Sequence, residues 1–232
     1  MNFKSFYKRI LLLLLLLFCV SIETEAQEDT GVGSWYAYHG YFDLSPKFEL
    51  FGETQLRTAN IITDLENFVL RSFINYNLYN NVQFGISQEY HDTKSYSDQS
   101  NNNVDTQEYR IALQAILHQK IKRISISHRY RYEFRFLDQS GNQRIRYHLQ
   151  FSMPLAKKDA PKKLWSATLA NEILINTKPE VNISENRLYG MIGYQFTKTT
   201  NLQFGYMYIF RPDQTNLPRL QFTLTQRLKF YK

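Results

Sequence analysis

Cysteine is almost missing from this chain, and so is any long apolar stretch beyond its first residues. Cys19 is the only cysteine among 232 residues. It lies in an N-terminal leader, so the rest of the chain can form no disulfide and holds no cysteine-based zinc cluster. A lipoprotein anchor at Cys19 is disfavoured by bulky Phe18 where a small residue is required. After Ile22 no segment approaches the roughly 20 apolar residues a spanning helix needs, which excludes a helical membrane protein. Basic residues outnumber acidic ones, for a net charge of +7, but they are spread along alternating patterns and form no run. That distribution argues against nucleic-acid binding.

The leader has its own logic. Lys4, Lys8 and Arg9 precede a nearly unbroken apolar run from Ile10 to Ile22, and Thr24 and Ala26 put small residues at −3 and −1 of a cut before Gln27. This is the layout of a Sec-type signal peptide, too short to span as a helix. Residues 1–26 are therefore read as a cleaved leader and 27–232 as one exported domain.

Within that domain the dominant signal has period two. From Arg123 to Phe136, Ile124, Ile126, His128, Tyr130, Tyr132, Phe134 and Phe136 share one face, while Arg123, Ser125, Ser127, Arg129, Arg131, Glu133 and Arg135 share the other. Successive side chains of a strand point to opposite faces, so the segment has one apolar and one charged face. From Gln143 to Leu155 the same alternation sets Ile145, Tyr147, Leu149 and Phe151 against Arg144, Arg146, His148 and Gln150.

The periodicity predicts eleven strands, at 34–42, 48–58, 66–78, 82–91, 104–118, 123–136, 143–155, 164–176, 186–196, 201–211 and 219–231. Most run roughly ten to fifteen residues, against about five or six in soluble sheets and about nine to eleven for a tilted strand crossing a bilayer. The expected fold is all-β: an antiparallel, up-and-down transmembrane barrel of about 10–12 strands. A lipocalin-like soluble barrel would bury the apolar face. Export, strand length and the bulk of Tyr and Phe on that face favour the inverted arrangement, with rings toward lipid and charge toward the lumen. Tyr41, Tyr90, Phe136 and Phe210 near strand ends fit interfacial girdles.

Connections 59–65, 92–103, 137–142, 177–185 and 212–218 read as longer than those at the opposite end, and so as the outer loops. The C-terminus then faces the periplasm, where the last stripe ends at Phe230, before Tyr231 and Lys232. Eleven is an odd count, whereas single-chain bacterial barrels are normally even. Strand 34–42 could lie outside the wall, a strand could be merged or missed, or the first and last strands could close in parallel.

The chain resembles domain-of-unknown-function family 2490, outer-membrane barrel-like proteins common in Bacteroidota. The resemblance rests on Gly33 and Trp35 in an early strand, on Glu49 and Glu53 in the next, and on the hairpin ISISHRYRYEFRF then NQRIRYHLQF. It implies an outer-membrane barrel and carries no catalytic residues.

No constellation points to a reaction. Outer-membrane lipid hydrolases resemble one another in a His-x-Ser pair, and none occurs here. His148 and Ser152 share a face but lie about 13 Å apart at that strand spacing. His39, His91, His118 and His148 fall on four different strands with no His-x-His pair, so no metal site and no cofactor is expected. The one cluster of note is Arg123, Arg129, Arg131, Arg135, Arg144 and Arg146, with Glu108, Glu133 and Glu172, all on the polar face. It could fill a narrow lumen with ion pairs or line an anion-attracting pore, and side-chain filling is favoured for a small barrel. The expectation is a non-enzymatic outer-membrane protein, structural or surface-acting or a narrow pore. Its partners would be outer-membrane lipid, lipopolysaccharide and the barrel-insertion machinery. The alternatives are a lipid-modifying hydrolase and a soluble exported barrel for an apolar ligand.

Overall fold

The computed structural model describes residues 31–95, 104–137, 140–156, 164–212 and 214–231. Residues 1–26, read from the sequence as a Sec-type leader, lie outside the described residues. Every regular element among them is a strand: β1 Gly33–Asp43, β2 Phe48–Thr58, β3 Leu65–Tyr79, β4 Val82–Ser95, β5 Val104–Ile121, β6 Ile124–Leu137, β7 Ser140–Pro154, β8 Trp165–Lys178, β9 Asn182–Gln195, β10 Thr200–Phe210 and β11 Leu217–Lys229. All eleven predicted strands are present. Each pairs with its sequence neighbour in antiparallel register, and β1 closes on β11 to make a barrel without edges.

The odd count is resolved at that seam. β1 and β11 run parallel, in register from Gly33 opposite Arg219 to Asp43 opposite Lys229. An up-and-down sheet with an odd number of strands brings its first and last strands together pointing the same way, so closure must be parallel. Parallel ladders are slightly weaker per residue, and here side chains reinforce the seam on both faces. Outside, Tyr36 stacks on Phe222 at 5.0 Å between centroids, and Tyr38 Oη donates to Gln226 Oε1 at 3.0 Å. Inside, Arg227 Nη1 lies 2.7 Å from Asp43 and 2.9 Å from Glu49. The Phe230 amide donates to the Asp43 carbonyl at 2.9 Å and extends the closure one step past the strand.

Facing follows the alternation. Leu70, Ile74, Phe84, Ile86, Tyr109, Ile111 and Leu113 are exposed on the outer wall, whereas Glu133 and Glu89 are buried inside it. The outward residues of β4 and β5 turn polar beyond Tyr90 and Tyr109, yet the ladder continues through Asp92–Gln107 to Lys94–Asp105. Strands therefore outrun the apolar stripe that marks them in sequence. This narrows the difference in loop lengths without reversing it: 138–139 and 179–181 are short connections at the long-loop end, while 155–164 is a long one joining β7 to β8 at the other. Residues 96–103 of the predicted longest loop lie outside the described residues. Two-residue turns at 80–81 and 122–123 close hairpins at the end where β11 finishes. The second of these holds Lys122 at φ 55°, the left-handed geometry that tight hairpin turns favour.

One girdle assignment is also corrected. Tyr90, Phe136 and Phe210 face outward, but Tyr41 points inward, with the Arg227 guanidinium 4.6 Å from its ring. β1 carries aromatic residues on both faces, so its alternation does not distinguish inside from outside.

Candidate functional site

The barrel interior is organised around a chain of buried carboxylates and guanidinium groups. Glu133 on β6 has no exposed surface. It accepts from Arg144 Nε and Nη2 at 2.9 and 2.7 Å, and from Arg146 Nη1 at 2.8 Å. Arg146 donates from Nε at 3.1 Å and from Nη2 at 2.7 Å to Glu172 on β8, and Arg129 and Arg187 reach the same carboxylate at 2.8 and 3.3 Å. Glu108 takes Arg110 at 2.6 Å and Arg135 at 2.5 Å. A carboxylate shared among several guanidinium groups has its lone pairs occupied, the condition under which buried ion pairs are tolerated.

Strand register sets these partners side by side. Glu53, Arg71, Glu89, Arg110 and Arg135 occupy directly opposed positions on β2 through β6, so charge alternates across the row until Arg110 meets Arg135. Arg71 bridges Glu53 at 2.9 Å and Glu89 at 3.3 Å. Opposite charges at directly facing positions support a sheet, and like charges there oppose it. Glu108, which takes both guanidinium groups, offsets the Arg110–Arg135 contact.

Of the predicted cluster, Arg129, Arg131, Arg135, Arg144, Arg146, Glu108, Glu133 and Glu172 come together as this network. Arg123 does not. It sits in the β5–β6 turn, and its Nη2 donates to the carbonyls of Pro154, at 2.8 Å, and Ala156, securing the end of β7. Sequence reasoning also missed Glu53, Arg71, Glu89, Arg110 and Arg187. Their signal was present, since each falls on the polar stripe of its strand. With Arg123 outside it and these five added, the network sets eight arginines against five glutamates, so the excess of three positive charges stays the same as in the predicted cluster while each carboxylate is shared more widely.

Arg131 is the least satisfied member. Its Nη2 donates to Gln114 at 3.0 Å and its guanidinium packs over Phe73 at 4.5 Å, but Nε and Nη1 have no hydrogen-bond partner. Phe73 and Val69, both fully buried, are apolar positions on an otherwise polar interior stripe of β3. A guanidinium over a ring face gains electrostatic attraction without needing an acceptor.

The histidines separate. His39 lies 3.7 Å from Glu53, His91 3.1 Å from Glu89, and His148 2.6 Å from the Tyr189 hydroxyl. Ser152 pairs with Thr168 at 2.9 Å, so it and His148 have different partners. Among the described residues no group of three or more His, Cys, Asp and Glu could hold a metal ion.

The network leaves part of the interior open. A cavity of about 420 Å³ lies between the charged side chains and the inner faces of β1, β10 and β11, which present Trp35, Asn201, Gln203, Gln221 and Thr223. A second space of about 740 Å³ lies toward the end marked by Asn80, Asn81 and Lys120, and shares Tyr41, Arg129, His148 and Gln150 with the first.

A closed eleven-stranded barrel with an apolar outer wall and an ion-paired interior defines the class. The chain belongs to the family described as "Protein of unknown function (DUF2490)", whose model matches residues 32–221. No curated protein and no solved structure matches it.

Proposed function

We propose that the exported chain is an outer-membrane barrel of structural or surface-acting role that does not conduct ions. One observation carries this: the barrel is inside out relative to a soluble one. Leu70, Ile74, Phe84, Tyr109 and Leu113 are each close to half exposed on the outer wall, and the charged residues lie within. A continuous apolar outer band is costly in water and favourable in lipid. The aromatic pairs Tyr90–Tyr109 and Trp165–Tyr194 are suited to interfacial girdles. Its partners are then outer-membrane lipid, lipopolysaccharide and the insertion machinery.

The ion-pair network favours the non-conducting form over a pore, because Arg71, Arg131, Arg146 and Glu133 occupy the interior where a pore would need free passage. The same charged interior gives no support to an apolar ligand. Fractionation tests the proposal. The protein should sediment with outer membranes, resist carbonate extraction and migrate faster on a gel when unheated. Recovery as a soluble periplasmic protein would refute it.

A further inference from the structure

The cavity of about 420 Å³ is built asymmetrically. On its charged side nearly every guanidinium has a carboxylate, with Arg57 the exception. Its Nε donates to Gln55 Oε1 at 2.6 Å and its guanidinium lies 3.9 Å from the Trp35 ring centroid. Among the described residues it makes no ion pair. Arg187, already paired with Glu172 and Glu185, approaches the same ring at 5.1 Å. Two cations therefore flank one indole, and one of them lacks a counter-ion. Arg57 is partly buried, and holding a guanidinium partly out of bulk water without a counter-charge is unfavourable. The ring recovers only part of that cost.

The opposite wall is uncharged. Asn201, Gln203, Gln221, Thr223 and Thr225 line it with amides and hydroxyls. Gln221 Nε2 is turned to the Met207 sulfur at 3.7 Å, and its Oε1 is buried without a donor. Gln221, with that unsatisfied acceptor, and Arg57, without a counter-ion, thus line one space. Water could donate to Gln221, but it would leave Arg57 without a counter-charge. The volume lies within the range of small-molecule pockets.

We infer that this cavity is a binding site for a small hydroxylated anion of sugar-acid or sugar-phosphate type. The anionic group accepts from the free edge of the Arg57 guanidinium, the ring packs by Trp35, and hydroxyls donate to Gln221 Oε1 and the neighbouring amides. Entry is from the larger space, where Arg129, Arg227 and Lys120 outweigh Glu49 and draw an anion inward. The inference goes beyond the proposed function and does not depend on it, because the cavity is interior whether lipid or water surrounds the barrel.

Trp35 reports on it directly. The chain has two tryptophans, and Trp165 lies on the outer wall. In the full mature protein carrying Trp165→Phe, Trp35 fluorescence is titrated with glucuronate and glucose 6-phosphate, and with glucose, acetate and inorganic phosphate for comparison. A saturable change is expected with at least one charged sugar, and whichever responds identifies the anionic group. Glucose, acetate and phosphate should bind at least about tenfold more weakly. Arg57→Gln should weaken the charged sugar about tenfold to a hundredfold, the span of one charged hydrogen bond. Gln221→Met should weaken it less, and Lys94→Gln on the outer face not at all. Gel mobility without heating verifies the fold of each variant, and Arg57→Lys, which keeps the charge, stands in should Arg57→Gln fail to fold. No saturable change with either charged sugar would overturn the inference. So would binding that survives both Arg57→Gln and Gln221→Met, or equal binding of acetate or phosphate alone.

Discussion

Glu133 and Arg146 sit on adjacent strands, two positions out of direct register, and meet at 2.8 Å in the barrel interior. Arg146 then reaches on to Glu172 at 2.7 Å, so one guanidinium ties β6 to β8 across β7. This contact is the centre of the network. Glu133→Gln should leave Arg144 and Arg146 without their shared charge and cost about 3–5 kcal/mol. Arg135→Gln, at the more exposed margin, should cost clearly less. Urea unfolding of the refolded barrel, followed by loss of heat-modifiable gel mobility, measures both. Equal small effects would mean that the network contributes little.

The parallel seam is testable because residues 20–232 hold no cysteine. Pairing Tyr36→Cys with Phe222→Cys, and separately Phe42→Cys with Leu228→Cys, should give efficient disulfides, since both pairs are in direct register. In an antiparallel closure, holding one pair together would place the other about 40 Å apart. Oxidation of one pair and not the other would contradict the topology.

Gly85 admits no side chain. A Cβ there would strike the Asn75 amide, whose Nδ2 donates to Glu49 Oε1 at 3.0 Å and whose Oδ1 accepts from Gln114 at 3.0 Å. Gly85→Ala should destabilise by about 1–3 kcal/mol, as overpacking does. Gly52, with open space around its would-be Cβ, should accept alanine with little change in the same unfolding assay.

In planar bilayers the wild-type protein should show no steady conductance. Arg129→Glu, which would set a second carboxylate against Glu172, should lower stability and should not switch the selectivity of an existing channel. A steady anion-selective conductance would replace the filled interior with a pore.

The wall was legible in the sequence, and the seam and parts of the interior were not. Alternation as clean as Ile124–Phe136 fixes the strand and sorts its residues into two faces, and export, strand length and the bulk of the apolar face then turned Arg131 and Glu133 inward, where they lie. The far end of β4 was underestimated because an apolar stripe marks a nonpolar environment, while backbone pairing persists through Asp92 and Lys94 to a β5 whose start was placed correctly. Tyr41 was misplaced because a tyrosine suits a lipid interface and a polar cavity equally well. Parallel closure links Gly33 to Arg219, a pairing with no local pattern to announce it. Glu89 and Arg110 were readable from their stripes, but their partnership depends on a register that periodicity does not give.

The most direct test of the account uses neighbouring residues on β10. Phe204 is exposed on the outer wall, and Gln203 lines the interior cavity. Phe204→Cys and Gln203→Cys are each labelled with a small fluorophore in the refolded protein and placed in vesicles containing brominated lipid. Contact with lipid tails at 204 predicts strong quenching there and little at 203. Quenching at 203 with none at 204 would invert the barrel's facing, and absence of quenching at both would take the chain out of the membrane.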